Sequence, residues 1–185
     1  MADIRVAGEL VMTGIRLSSA GEIFRSIREN THYLRRWLPF VDETYSVSQT
    51  EAYIRSVLDG NSLKKDLVWE IRKNGELVGV ISLKEVDDIN GRTEIGYWIR
   101  EIYEGHGIVT DCCRKLIDYA FNELRLFRVQ IRVAPGNLRS ACVPERLGFH
   151  FEGIERAGEK HSDKYLDLMV YSLLKPEWGE DLSCI

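Results

Sequence analysis

Three consecutive strand-like stretches joined by turn signals constrain this chain more than any other feature. Residues 67–73 (LVWEIRK), 76–85 (ELVGVISLKE) and 92–99 (RTEIGYWI) are rich in Val, Ile and Trp, side chains that fit a pleated, half-buried surface. Asn74-Gly75 joins the first two and residues 87–91 (DDING) follow the second. Asn-Gly is the strongest short hairpin signal, because both residues accept positive φ. The middle of the chain therefore reads as an antiparallel meander, which needs covering elements from either side of it.

The flanks supply them. Residues 10–17 read as an opening strand, and residues 20–30 and 48–59 as amphipathic helices. Ser48 followed by Glu51 is expected to cap the second helix as a capping box. From Gly107 to Leu124 the period becomes helical, with Val109, Cys113, Leu116, Ile117, Ala120, Phe121 and Leu124 on one stripe. A strand at 128–134, a short helix at 138–147 ended by Gly148, and strands at 149–156 and 164–174 complete the order β-α-α-β-β-β-α-β-α-β-β. No repeat or linker interrupts it, so residues 1–185 read as one domain with 179–185 as a frayed tail.

Composition excludes several classes. The net charge is −4 with the signs interspersed, and no basic stripe suits a nucleic acid. No apolar run approaches the roughly 20 residues that span a bilayer, and the start lacks a signal-peptide pattern. A cytoplasmic protein is expected. Cys112, Cys113, Cys142 and Cys184 show no C-x-x-C spacing, and the four histidines show no ligand spacing, so no metal is implied. Cys113 lies on the buried helix stripe, where packing is the better reading than nucleophile.

Gly105-His106-Gly107 leads straight from a strand end into a helix. Glycines let a ligand approach the backbone, and the first helix amides lack intrahelical partners, which suits a diphosphate. A Walker loop is excluded because no G-K-[ST] follows. A Rossmann fingerprint fails because Thr110 holds the third small position and the preceding strands form hairpins. A glycine helix entry without a ligand remains open on these residues alone.

The surroundings go further. EIGYWI (94–99), EGHGIVT (104–110), CRKLIDYAFNEL (113–124), RVQIRVAPGNLRS (128–140), PERLGFHFEG (144–153) and DLMVYSLLKPEW (167–178) together resemble the GNAT acetyltransferases. The resemblance is to their RimJ/RimL branch of ribosomal-protein N-terminal acetyltransferases, and it covers essentially the whole chain. It implies an α+β fold with a mixed, mostly antiparallel seven-stranded sheet and about four helices. A splayed parallel strand pair, the strands ending at Ile99 and spanning 128–134, would hold acetyl-coenzyme A. Ile99, Arg100, Ile102, Glu104, Gly105, His106, Gly107, Ile108, Val109, Thr110, Asn137 and Ser140 would contact it. Glu104 and Val109 depart from the family's usual Gln/Arg and Gly/Ala, and Glu104 is expected to point to solvent.

The resemblance also implies direct acetyl transfer to an amine, with no covalent intermediate. Glu101 or Glu94 would serve as base and Ser140 as acid beside the leaving thiolate, with an oxyanion donor at the backbone N–H of Ile99 or Arg100. Tyr33, Trp37 and Trp98 would wall the acceptor, although Tyr33, Trp37, Phe40 and Tyr45 equally fit a second hydrophobic core. The acceptor expected is a protein N-terminus, most plausibly ribosomal. A small amine, or coenzyme binding without turnover, are the alternatives. The hairpin-rich sheet and an exposed last strand suggest a homodimer or higher homo-oligomer.

Overall fold

The computed structural model describes residues 2–59, 65–161 and 163–179; of the expected tail at 179–185, all but Gly179, Cys184 included, lies outside the described residues. Among the described residues eight strands form one sheet: β1 (Ile4–Ala7), β2 (Leu10–Gly14), β3 (Lys65–Lys73), β4 (Glu76–Asp87), β5 (Arg92–Ile99), β6 (Arg128–Val133), β7 (His150–His161) and β8 (Lys164–Leu174). Their spatial order is β1-β2-β3-β4-β5-β6-β8-β7. The count is one more than the seven expected. The extra strand is β1, four residues that pair with β2 across a turn at Gly8, whose φ is +51°.

The β3–β4 turn forms as its sequence requires, with φ of +51° at Asn74 and +81° at Gly75. All neighbouring pairs are antiparallel except one. β5 and β6 run parallel and pair at Arg92/Arg128, Thr93/Val129 and Glu94/Gln130. Beyond Glu94 they part, while β5 stays paired to β4 as far as Ile99. This is the splayed pair the resemblance implied.

Helices cover both faces. On one side α1 (Ala20–Glu29) and α4 (Val47–Leu58) bury Ile23, Ile27 and Ile54 against Val68, Val80 and Trp98. On the other, α5 (Ile108–Asp118) packs Cys112, Cys113, Leu116 and Ile117 on Trp69, Ile81 and Ile95, joined by α6 (Leu138–Arg146) through Ala141 and Val143. Side chains alternate along β5, so Ile95 enters one core and Trp98 the other. Two single-turn helices, α2 (Thr31–Leu34) and α3 (Phe40–Glu43), lie between α1 and α4.

Two local expectations are corrected. The cap of α4 is Ser46, not Ser48. Ser46 Oγ accepts from Gln49 N, and Gln49 Oε1 accepts from Ser46 N at 3.0 Å. Both serines begin an S-x-x-E/Q pattern, and Ser46 takes the cap because it holds the extended backbone that a cap needs. The last strand is not exposed. β8 lies between β6 and β7, so β7 is the sheet edge and the dimer reading loses that support. Among the described residues no helix is long and apolar enough to cross a membrane.

Candidate active site

A cavity of about 420 Å³ opens where β5 leaves β6. Its walls are the end of β5, the loop at 104–107, the start of α5, the first turn of α6 and the α2 region. Gly107 is the residue before α5 and has a φ of +74°, as has Gly105. The first hydrogen bond of the helix runs from Asp111 N to Gly107 O at 3.0 Å. The amides of Ile108, Val109 and Thr110 thus have no partner within α5, and all three residues line the cavity. Arg139 and Arg146 add cations to the same walls. The residues present fit a group that carries a diphosphate.

The split also frees one edge of β5. Arg100 N donates to Val78 O at 2.8 Å, and Gly96 O accepts from Ser82 Oγ, so even-numbered residues turn their backbone toward β4. Alternation turns the N–H and C=O of Tyr97 and Ile99 toward the split. An extended amide chain can pair there as an added strand would. The Arg100 amide is already committed to β4 and is not the oxyanion donor; Ile99 keeps that possibility and Tyr97 joins it.

On the far side of the split lies a smaller cavity of about 100 Å³, lined by Lys84, Glu94, Gly96, Arg132 and Glu159 among others. The two cavities share Trp37, Leu38, Tyr97, Asn137 and Ser140. They meet at a waist. There the Tyr97 hydroxyl lies 2.9 Å from Ser140 Oγ and donates to Ser140 O at 3.2 Å. Asn137 Oδ1 accepts from Ser140 N at 3.3 Å and caps α6. Burial pushes the Tyr97 phenol well above its ordinary pKa, so it stays protonated as a donor.

Of the residues expected to contact the coenzyme, Ile99, Glu104, Gly105, Gly107, Ile108, Val109, Thr110, Asn137 and Ser140 line the larger cavity. Arg100, Ile102 and His106 do not. Arg100 turns back to Glu76 and Leu77 O, Ile102 is two-thirds exposed, and His106 faces solvent. Glu104 was expected to face solvent and does the opposite. Its carboxylate is largely buried, accepts from the Tyr33 hydroxyl at 2.5 Å and pairs with Arg139, whose side chain reaches in from the surface.

The two glutamates proposed as base fall in unlike places. Glu101 is exposed on a turn after β5 and lines neither cavity; its backbone N–H is held by Asn30 Oδ1 at 3.0 Å. Glu94 is buried in the smaller cavity but engaged, by Arg132 Nε at 2.5 Å, Gln130 Nε2 at 3.3 Å and Lys84 Nζ at 3.7 Å. A third carboxylate, missed in the sequence, stands opposite. Glu159 on β7 is half-buried, and its carboxylate accepts no hydrogen bond among the described residues. Burial raises its carboxyl pKa, against the opposing pull of Lys84 and Arg132. The sequence shows only an acid in a polar stretch there, because β7 runs on to His161 where a loop was expected.

Tyr33, Trp37 and Trp98 all line the larger cavity, with Trp37 also at the waist. Phe40 and Tyr45 are exposed and take no part in it. Cys112 and Cys113 are buried, with burial pushing the Cys112 thiol up to about 12 and the Cys113 thiol well above its ordinary value. Packing is their role, not nucleophilic attack. Among the described residues no group of three His, Cys, Asp or Glu could hold a metal.

Comparison with known proteins agrees with this geometry. Residues 9–150 match the family model described as the acetyltransferase (GNAT) domain. YdaF of Bacillus subtilis (strain 168), whose name marks it as a candidate ribosomal N-acetyltransferase, is 43% identical over 157 residues, 82% of this chain and 84% of its own. The ribosomal-protein-serine acetyltransferase of Escherichia coli (strain K12) is 30% identical over 178 residues, 91% and 94% of the two chains. Among solved structures, the microcin C7 self-immunity acetyltransferase MccE, in complex with acetyl-coenzyme A and AMP, superposes with a TM-score of 0.87 at 26% identity. That match covers 92% of this chain and 95% of the other.

Proposed function

The chain belongs to the GNAT acetyltransferases, and from that premise we propose that it acetylates the N-terminal α-amine of a protein, a ribosomal protein being the leading acceptor class. Its co-substrate is acetyl-coenzyme A, which supplies an activated thioester carbonyl. The amides of 108–110, with Arg139 and Arg146, would hold the diphosphate, and the free edge of β5 at Tyr97 and Ile99 the arm.

One observation carries the reading. A cavity of about 420 Å³ and a small polar cavity meet at a waist bearing a hydroxyl pair, and a carboxylate without a hydrogen-bond partner among the described residues lines the smaller one. Glu159 takes the proton of the incoming ammonium, directly or through a water, and its raised pKa suits a base that must pick up and release protons. The N–H groups of Tyr97 and Ile99 face the position where negative charge develops. Ser140, backed by Tyr97, donates to the departing thiolate. Glu94 holds Arg132 and shapes the cavity floor.

The acceptor side favours a peptide terminus over a polyamine. At about 100 Å³ it admits an amine and a small first side chain while the rest of the acceptor stays outside. Glu94 and Glu155 are both paired with Arg132, so a chain of several ammonium groups finds no row of open carboxylates. Thiol release from acetyl-coenzyme A should rise with peptides beginning in Ser or Ala. Release with polyamines or amino sugars and none with peptides would replace the acceptor class. Coenzyme binding with no release for any amine would sink turnover itself.

A further inference from the structure

The smaller cavity contains an amine of the protein's own. Lys84 is the only lysine that lines either cavity among the described residues. It lies on β4 opposite Glu94, and its side chain leans along the sheet to cover Gly96. A Cβ added at Gly96 would meet Lys84 Cε at 2.3 Å and Nζ at 2.8 Å. The absence of a side chain at Gly96 lets the Lys84 side chain lie in this position. Gly96 stands two residues beyond the last β5–β6 rung and one before Tyr97, whose hydroxyl meets Ser140 at the waist. Among the described residues the ammonium has one ion-pair partner, Glu94 Oε1 at 3.7 Å, and that carboxylate is more closely held by Arg132. A flexible primary amine, its side chain about half exposed, thus lines the acceptor cavity on a strand next to the one that faces the reacting centre.

From this placement, and resting on the acetyl-transfer reading above, we infer that Lys84 is a self-acetylation site. Lys84 Nζ gives a proton to Glu159, and its lone pair then attacks the thioester carbonyl. The C–N bond forms and the C–S bond breaks. The electron pair of the broken bond leaves on the coenzyme A sulfur, which takes a proton from the Ser140–Tyr97 pair or from solvent. The amide nitrogen loses its second proton to solvent, so one acetyl-coenzyme A gives one Nε-acetyl-lysine and one free thiol, with nothing oxidised or reduced. Acetylation converts a cation of the acceptor cavity into a neutral amide. It leaves Arg132 as the one full cation in the cavity and adds an acetyl group where an acceptor amine would sit. The modified protein should therefore bind its acceptor amine less readily.

The test incubates the full chain with acetyl-coenzyme A and no acceptor, then follows each lysine by peptide mass spectrometry. Lys84 should gain one acetyl group faster than the exposed Lys160 and Lys164, by on the order of 10²-fold, as intramolecular placement provides. Its rate per chain should not change with protein concentration, and Glu159→Gln should slow Lys84 while leaving the two surface lysines as they were. Acetylation of Lys84 no faster than theirs, or at a rate that scales with protein concentration, overturns the inference. Thiol release with an amine acceptor is measured in parallel. Transfer to that acceptor with Lys84 unmodified refutes self-acetylation and leaves the enzyme reading intact, whereas no transfer to any amine refutes both.

Discussion

Glu94 and Glu159 face one small cavity, yet their surroundings give them opposite roles. Glu94 is ion-paired at 2.5 Å to Arg132, so it is an anchor for that guanidinium. Glu159 has no such partner, and burial raises its pKa. Glu159→Gln should lower kcat by on the order of 10²-fold or more with little change in melting temperature. Glu94→Gln should instead lower stability by about 1–3 kcal/mol, read by denaturant unfolding, since Arg132 loses its buried partner. Ser140→Ala should reduce kcat about tenfold or more, with coenzyme affinity nearly kept, because only the departing thiolate needs that hydroxyl. The place of Asn137 and Ser140 at the start of α6 could be read from the local helix pattern, while their part in the site came from the family resemblance. Glu159 could be read from neither. Its place depends on how far the β7–β8 hairpin extends, and nothing local to residues 156–161 sets that length.

At the scale of elements, the site is made by backbone positions more than by side chains. Gly107 enters α5 with a φ of +74°, and a Cβ there would meet nothing nearer than Asp111 Oδ2 at 4.0 Å. Gly107→Ala is therefore a test of conformation and not of space. It should cost about 1–2 kcal/mol and raise the KM for acetyl-coenzyme A, because the amides that follow lose their aim. Gly79 on β4 is the reverse case. A Cβ there would lie 2.2 Å from Trp98 O and 2.9 Å from Ile99 Cα, so Gly79→Ala must push β5 aside at the split. Most elements were legible for reasons of the same local kind: Asn74-Gly75 dictates its hairpin, and the stripe through Cys113 and Leu116 dictates α5. β1 was not, because four residues carry too little period to be told from a loop. The place of β8 inside the sheet was not either, since strand order is set by packing between distant segments.

Across the whole molecule, a strip of charges ties the far strands together. Arg128 on β6 grips Glu152 on β7 with two bonds of 2.7 Å across β8, where Ser172 donates a third at 2.8 Å. Hydrogen bonding to Arg128 holds the Glu152 carboxyl down at about 2, below its ordinary 4.5. A depressed folded pKa gives stability that is complete above the unfolded value and is lost as pH falls toward the folded one. Acid unfolding should thus draw on Glu152 between about pH 4.5 and about 2, and Glu152→Gln should flatten the stability profile there. Activity should fail sooner. Glu159 must be deprotonated to act, and its pKa lies above the ordinary range, so transfer declines at a pH where the fold still stands.

That separation makes the pH–rate profile the most direct test. With acetyl-coenzyme A and a peptide beginning in Ser, kcat/KM should fall on the acid side through an apparent pKa above that of an ordinary glutamate. In Glu159→Gln that limb should vanish along with most of the rate. A variant that keeps both the rate and the acid limb would show that the proton leaves by another route, and would contradict the assignment of this carboxylate in the smaller cavity as the base.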